Sequence, residues 1–332
     1  MTAPGPPADM VDAWGRALRY LRVSVTDRCN LRCIYCMPAS GEARAGAGRI
    51  LPLEQTARLV GLCAGLGVEK VRLTGGEPLV RPDLASLINA AKKTPGIRTV
   101  ALTTNGILLP EQLPALLAAG LDGVNLSLDT LDRGQYAALT RRDRLPQALA
   151  GLEAALAAPG LTVKLNCVPL ADNEDQWVPL AALARDRGLV VRFIELMPIG
   201  LGGGLPRRSE AQVLSRLEAA FGPARPLEGP GDGPARYVAF PGFRGRVGFI
   251  SAMTHPFCTA CDRLRLTASG FLKTCLQYQN GADLGALLEA GADDEALRAA
   301  ILEAVRRKPA GHHFGSPPGP GDEDRNMNEI GG

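Results

Sequence analysis

The chain has 332 residues, 46% of them hydrophobic, and 37 basic against 34 acidic side chains leave a net charge of only +3. That composition can bury a large core and excludes a chain disordered by charge and a general polyanion-binding surface. With no apolar run near the roughly 18 residues of a membrane helix, neither nucleic acid nor membrane is expected as a partner.

The first residues, rich in Pro, Ala and Gly, read as a loose arm over 1–15. From Leu21 to about Phe221, short β-branched or apolar runs alternate with amphipathic stretches, the pattern of βα units around a parallel sheet. Strands are expected near 22–26, 70–74, 99–104, 123–128, 161–168 and 190–195. Helical patterns run from Leu53 to Leu66, Asp83 to Lys93, Glu111 to Ala119, Pro146 to Ala157 and Asp175 to Arg187.

Six such units make either an open doubly wound sheet or a partial barrel, and side-chain alternation separates the two. Arg22, Ser24 and Thr26 share one face of their strand, opposite Leu21, Val23 and Val25. The split recurs with Arg72 and Thr74, with Thr103 and Asn105, with Asn125, Ser127 and Asp129, and with Lys164 and Asn166. A parallel strand buried on both faces should be apolar on both, so a repeated polar face implies a ligand-filled interior. The expectation is an α/β fold, a partial (β/α)6 TIM-type barrel over 16–222, with ligands at the carboxyl ends of its strands.

After Phe221 the pattern changes to a Pro- and Gly-rich loop and then to short strands around Tyr237–Phe240 and Arg246–Ile250. A smaller C-terminal α+β module over 223–308 is expected, ending in a helical pattern from Leu284 to Arg306. Residues 309–332 are polar with Pro and Gly, a flexible tail on composition alone.

Eight cysteines, six of them in two tight clusters, and no hydrophobic signal segment point to metal ligation in a reducing, cytoplasmic compartment. Cys29, Cys33 and Cys36, spaced C-x3-C-x2-C, offer three thiolates on one loop. A 4Fe-4S cluster takes one ligand per iron, so three cysteines leave one iron open to an exogenous ligand. The second triplet, Cys258, Cys261 and Cys275, is by spacing ambiguous between an iron-sulfur cluster and a zinc site closed by His255. Cys63 lies at helical spacing with Leu59, Val60 and Leu66, and Cys167 on an apolar strand face; both read as core.

Arg22, Arg72, Lys164 and Arg192 fall inside expected strands, where long cations are unwelcome unless paired. Four cations around one interior call for a polyanion, and a triphosphate offers arginine planar, bidentate partners.

The Cys29–Cys36 loop, with Tyr35 at its aromatic position, resembles the signature of the radical S-adenosylmethionine (radical SAM) superfamily, whose open iron chelates SAM. Ser24 to Cys29, Thr74-Gly-Gly-Glu-Pro78, Thr103-Thr-Asn-Gly106, Phe193 to Met197, the second triplet and Gly331-Gly332 together resemble the GTP 3',8-cyclase family, from about Arg22 to the end. That resemblance implies two 4Fe-4S clusters, the second binding the guanine base through an open iron, and SAM held with Gly76, Ser127 and Met197. It implies triphosphate contacts from Arg22, Arg72 and Lys164, a polar contact from Thr103, and contacts to GTP from Arg263 and Arg265, with Arg265 also helping a late step. Arg192 is added from strand position alone.

The implied activity is formation of 3',8-cyclo-7,8-dihydro-GTP through a 5'-deoxyadenosyl radical that abstracts the 3' hydrogen, the first step of molybdenum cofactor biosynthesis. The implied partners are a flavodoxin or ferredoxin as electron donor, cyclic pyranopterin monophosphate synthase downstream and a second copy in a homodimer. The double-glycine tail is implied to enter the active site. A peptide-modifying radical SAM enzyme, an iron-sulfur electron carrier and a zinc scaffold are the alternatives.

Overall fold

Alternation along the strands builds the molecule. In β1 (Tyr20–Ser24) the side chains of Leu21 and Val23 are fully buried against the outer helices, while Tyr20, Arg22 and Ser24 turn to the other face. The same division repeats through β2 (Lys70–Thr74), β3 (Thr99–Thr104), β4 (Gly123–Ser127), β5 (Thr162–Cys167) and β6 (Val190–Ile194), which pair in that order, all parallel. The computed structural model describes residues 10–41, 49–227 and 233–331; the first nine residues of the expected arm, 228–232 of the Pro- and Gly-rich loop and the terminal Gly332 lie outside the described residues.

The C-terminal strands join this same sheet. β7 (Arg225–Leu227), β8 (Arg236–Ala239) and β9 (Arg246–Ile250) extend it beyond β6, with β9 parallel to β6. β10 (Arg263–Leu266), β11 (Phe271–Lys273) and β12 (Gly281–Asp283) extend it at the opposite edge, with β10 parallel to β1. Among the described residues the order is therefore β12-β11-β10-β1-β2-β3-β4-β5-β6-β9-β8-β7, in which β1 to β6 are the six parallel strands expected of the partial barrel and β12 and β7 are the two ends. Phe193 of β6 stacks on Phe249 of β9, ring centroids 6.0 Å apart, and that pair secures β9 on β6.

Seven helices follow the barrel strands: α1 (Leu53–Gly65), α2 (Leu84–Lys93), α3 (Leu109–Ala118), α4 (Arg133–Thr140), α5 (Leu145–Ala157), α6 (Trp177–Asp186) and α7 (Glu210–Phe221). Leu59, Leu87 and Leu152 close over Val71, Leu102 and Leu165 in one core, each such burial contributing about 1.5–3 kcal/mol. Cys63 and Cys167 lie in it, as their spacing implied. The short α4 has no apolar stripe long enough to announce it; Asp132 starts it by accepting from the Gln135 amide at 2.8 Å.

The helical pattern from Leu284 to Arg306 is two helices, α8 (Leu284–Glu289) and α9 (Asp294–Arg306). Gly291, at φ +79°, ends the first and Asp293 caps the second. The tail is not loose. Phe314 and Ile330 pack with Ile199 and Leu276, Glu323 meets the fully buried Lys273, and α10 (Met327–Ile330) closes the described chain. Phe314, Ile330 and Glu323 of this polar segment each find a buried partner, which composition does not reveal. Residues 10–16 likewise pack, with Met10 buried and Asp12 paired to Arg16.

Candidate active site between two cysteine triplets

Strand direction sorts the site into layers. Cys29, Cys33 and Cys36 follow the carboxyl end of β1, whereas Cys258 and Cys261 precede β10 and Cys275 follows the antiparallel β11. The two triplets therefore lie at opposite ends of the strands, and the polar face of the sheet runs between them.

At the upper end Gly75 and Gly76 let their strand lie against the first cysteine loop. A Cβ on Gly76 would stand 2.4 Å from the Arg28 carbonyl oxygen, and the Gly76 amide donates to Thr26 at 2.7 Å. Glu77 accepts from the amides of Leu79 and Asn105 and from the Thr104 hydroxyl, and Asn105 donates to Asn30 inside the loop. The ends of β2 and β3 are thereby tied to the cysteines. Tyr35 donates to Asp129 at 2.6 Å, and Asp129 accepts from the Val168 amide, which anchors the loop to β4 and β5. Burial lifts the Asp129 carboxyl to about 6, against the pull of those two donors.

Ser127 ends β4 beside Asn166, and Met197, just past β6, packs with Ile199, Leu276, Phe314 and Ile330. Gly331 reaches the same mouth. A Cβ there would meet the Ser24 Cβ at 2.7 Å and the Thr74 hydroxyl at 3.1 Å.

Two residues down each strand lies a row of guanidinia, Arg265 on β10, Arg22 on β1 and Arg72 on β2, lateral partners in register. Adjacent strands lie about 4.8 Å apart, so three cations share one narrow surface. Burial and then the neighbouring Arg22 and Arg263 push Arg265 below the ordinary guanidinium range. The next row down is Arg263, Tyr20 and Lys70. Lys164 faces the same interior from β5; burial, then Arg192, Lys70 and Arg72, bring it down to about 8. A cavity of about 270 Å³ opens beside Lys70, Arg72, Ala101, Asn125 and Lys164.

Thr103 Oγ1 and Arg263 Nε are buried without a hydrogen-bond partner, and such orphans call for a ligand. Arg192 on β6 acts on Lys164 and Arg72 across the same interior and donates to Asn166 Oδ1 at 2.9 and 2.7 Å.

Lys70 and Tyr20 were missing from the sequence-based site, and Glu77 and Asp129 entered it only as a motif member and a polar-face residue without a role. Lys70 and Tyr20 could have been found from alternation, since each lies two residues before a chosen arginine. The contacts of Glu77 and Asp129 could not.

All six cluster-type cysteines are free thiols. Burial raises Cys29 to about 11 and Cys36 to about 12, and a bound metal favours the thiolate. Backbone amides already point at the sulfurs, Leu31 at Cys29 Sγ (3.4 Å) and Asn328 at Cys36. Among the described residues no three His, Cys, Asp or Glu side chains converge on a single-ion site. A cluster spreads its thiolates over separate irons, and this donor set fits it. His255 Nδ1 lies 3.4 Å from Glu210 Oε2.

Residues 23–184 match the Radical SAM superfamily and residues 189–314 the family described as Molybdenum Cofactor Synthesis C. SuiB of Streptococcus suis, solved with its precursor peptide SuiA, shares this fold at a TM-score of 0.56 and 16% identity, over 88% of this chain and 65% of that one. Fold and site thus define a radical SAM protein.

The match narrows further with curated relatives. A GTP 3',8-cyclase of Pelotomaculum thermopropionicum is 46% identical over 97% of this chain and 100% of its own length, and that of Heliobacterium modesticaldum is 45% identical over the same shares. The chain belongs to the GTP 3',8-cyclase family. With that membership the peptide-modifying, electron-carrier and zinc-scaffold alternatives fall away.

Proposed function

We propose that this chain cyclises GTP to 3',8-cyclo-7,8-dihydro-GTP, the first step of molybdenum cofactor biosynthesis, with SAM and two 4Fe-4S clusters as cofactors. The observation that carries the reading is the register of Arg265, Arg22 and Arg72 in one row between two free-cysteine triplets. A row of buried cations suits a triphosphate, and a peptide substrate has no use for it.

When bound, the reduced first cluster and SAM supply a 5'-deoxyadenosyl radical that takes the 3' hydrogen of GTP. The chain's own residues bind and orient. Cys29, Cys33 and Cys36 would hold the first cluster, and Gly76, Ser127, Met197 and Tyr35 would frame SAM at the strand ends. Arg22, Arg72, Lys164 and Lys70 would take the triphosphate, and Thr103 would offer its unpartnered hydroxyl. Cys258, Cys261 and Cys275 would hold the second cluster at the guanine end, with Arg263 and Arg265 beside the base and sugar. Arg192, held by Asn166, would add a further cation to the same site.

In this reading the barrel, 16–222, carries SAM chemistry and residues 223–308 carry the base-binding cluster. No helix among the described residues is long and apolar enough to cross a membrane; a cytoplasmic homodimer, reduced by flavodoxin or ferredoxin and feeding cyclic pyranopterin monophosphate synthase, completes the proposal.

Paramagnetic resonance of the reconstituted protein tests it. GTP should perturb the signal of the second cluster, and guanosine should do so only at much higher concentration. A second-cluster signal indifferent to GTP contradicts the proposal.

A further inference from the structure

Tyr20 stands on the polar face of β1, with Lys70 of β2 on one side in register and Arg263 of β10 on the other. Its hydroxyl accepts from Arg72 Nε and is bonded by Arg22, and Lys70 Nζ lies 5.1 Å from the ring centroid. The residue is only 9% exposed. Arg265 from β10, Lys164 from β5 and Arg192 from β6 also feel its charge. The groups that act on it are thus cations from five strands. Packed guanidinia repel one another, and a buried cationic surface costs much of its fold's stability unless something negative sits in it.

The Tyr20 phenol is the group placed among these cations. Burial alone would raise it, but Arg72, Arg22, Arg263 and Lys70 bring it down to about 7. The other tyrosines with a displaced phenol, Tyr35, Tyr136 and Tyr278, go the other way, each raised first by burial.

We propose that Tyr20 is a positioning residue, a built-in counter-group that holds the Arg72 and Arg22 guanidinia before substrate arrives and yields them to an incoming polyphosphate. As the polyphosphate enters, the phenolate oxygen takes one proton from solvent and remains as a neutral hydrogen-bonding phenol. Preformed cations bind anions without reorganisation, and by linkage the anion and the proton bind together. The inference rests on the polyphosphate reading of the barrel interior, and its test separates the two.

The test is ultraviolet difference spectroscopy of the reconstituted protein at pH 8, titrated with inorganic triphosphate while calorimetry reports binding. The wild type should show a tyrosinate band that disappears as triphosphate saturates the site, and Tyr20→Phe should lack the band yet still bind triphosphate. Absence of the band in the wild type, its survival in the triphosphate complex, or its persistence in Tyr20→Phe overturns the role of Tyr20. The wild-type titration decides even where the variant folds poorly. Failure of triphosphate to bind overturns the polyphosphate reading itself, and the proposal with it.

Discussion

Arg265 Nη1 donates to the carbonyl oxygen of Gly331 at 2.9 Å, across 66 residues of chain. This bond places Gly331 directly over the cation row, wedged against Ser24 and Thr74 at the barrel mouth. Gly331 holds φ +78°, a conformation that side chains resist.

Gly331→Ala should therefore lower activity without unfolding the protein. Left-handed backbone on a non-glycine residue costs about 1–3 kcal/mol, and the added Cβ would collide with Ser24 as well. Cyclised product should fall about fivefold to a hundredfold, while iron content and SAM affinity hold. Product formation equal to wild type would show that the tail is a passive plug.

Arg265→Ala removes both the tail contact and one member of the row. Both clusters and SAM binding should remain and cyclised nucleotide should be lost. Full activity in this variant sinks the catalytic role given to Arg265.

Arg72→Ala and Lys164→Ala should act mainly on substrate affinity. A charge-assisted hydrogen bond contributes about 1.5–3 kcal/mol, so KM for GTP should rise about tenfold to a hundredfold, with a smaller change in kcat. A variant that loses kcat with KM unchanged would place these cations away from the triphosphate.

The sequence made much of this legible because alternation is a local property. Each of Arg22, Arg72, Lys164 and Thr103 turns to the interior that strand alternation assigned it. What it hid depends on pairings between distant strands. No spacing within 223–308 says that β10 will lie beside β1, so the alignment of Arg265 with Arg22 emerges only in the assembled sheet. Nor does the Pro- and Gly-rich composition of 309–331 disclose Glu323 lodged against Lys273, or Asn328 at Cys36.

The Lys273–Glu323 pair carries a stability prediction. Both side chains are inaccessible to solvent, and Arg325 adds a second cation at 2.8 Å. Burial pushes the Glu323 carboxyl up, but Arg325 and Lys273 outweigh it and bring it down to about 2. A depressed carboxyl stabilises the fold above its unfolded value, about 4.3, and that contribution drains away as pH falls toward 2. Glu323→Gln leaves Lys273 buried and unpaired, at a cost of about 3–5 kcal/mol. Denaturant titrations should show a lower midpoint for the variant at pH 7 and a gap that narrows between pH 4.5 and 3. A gap constant with pH would mean that Glu323 acts through packing alone.

The central claim, that a cluster-and-SAM centre acts on GTP held by this cation row, is met most directly by an anaerobic turnover assay. The reconstituted protein is given SAM and dithionite, and 5'-deoxyadenosine and nucleotide products are quantified with and without GTP. The account predicts that deoxyadenosine rises with GTP and that a cyclised nucleotide appears alongside it. SAM cleavage indifferent to GTP, with no nucleotide product, would contradict it.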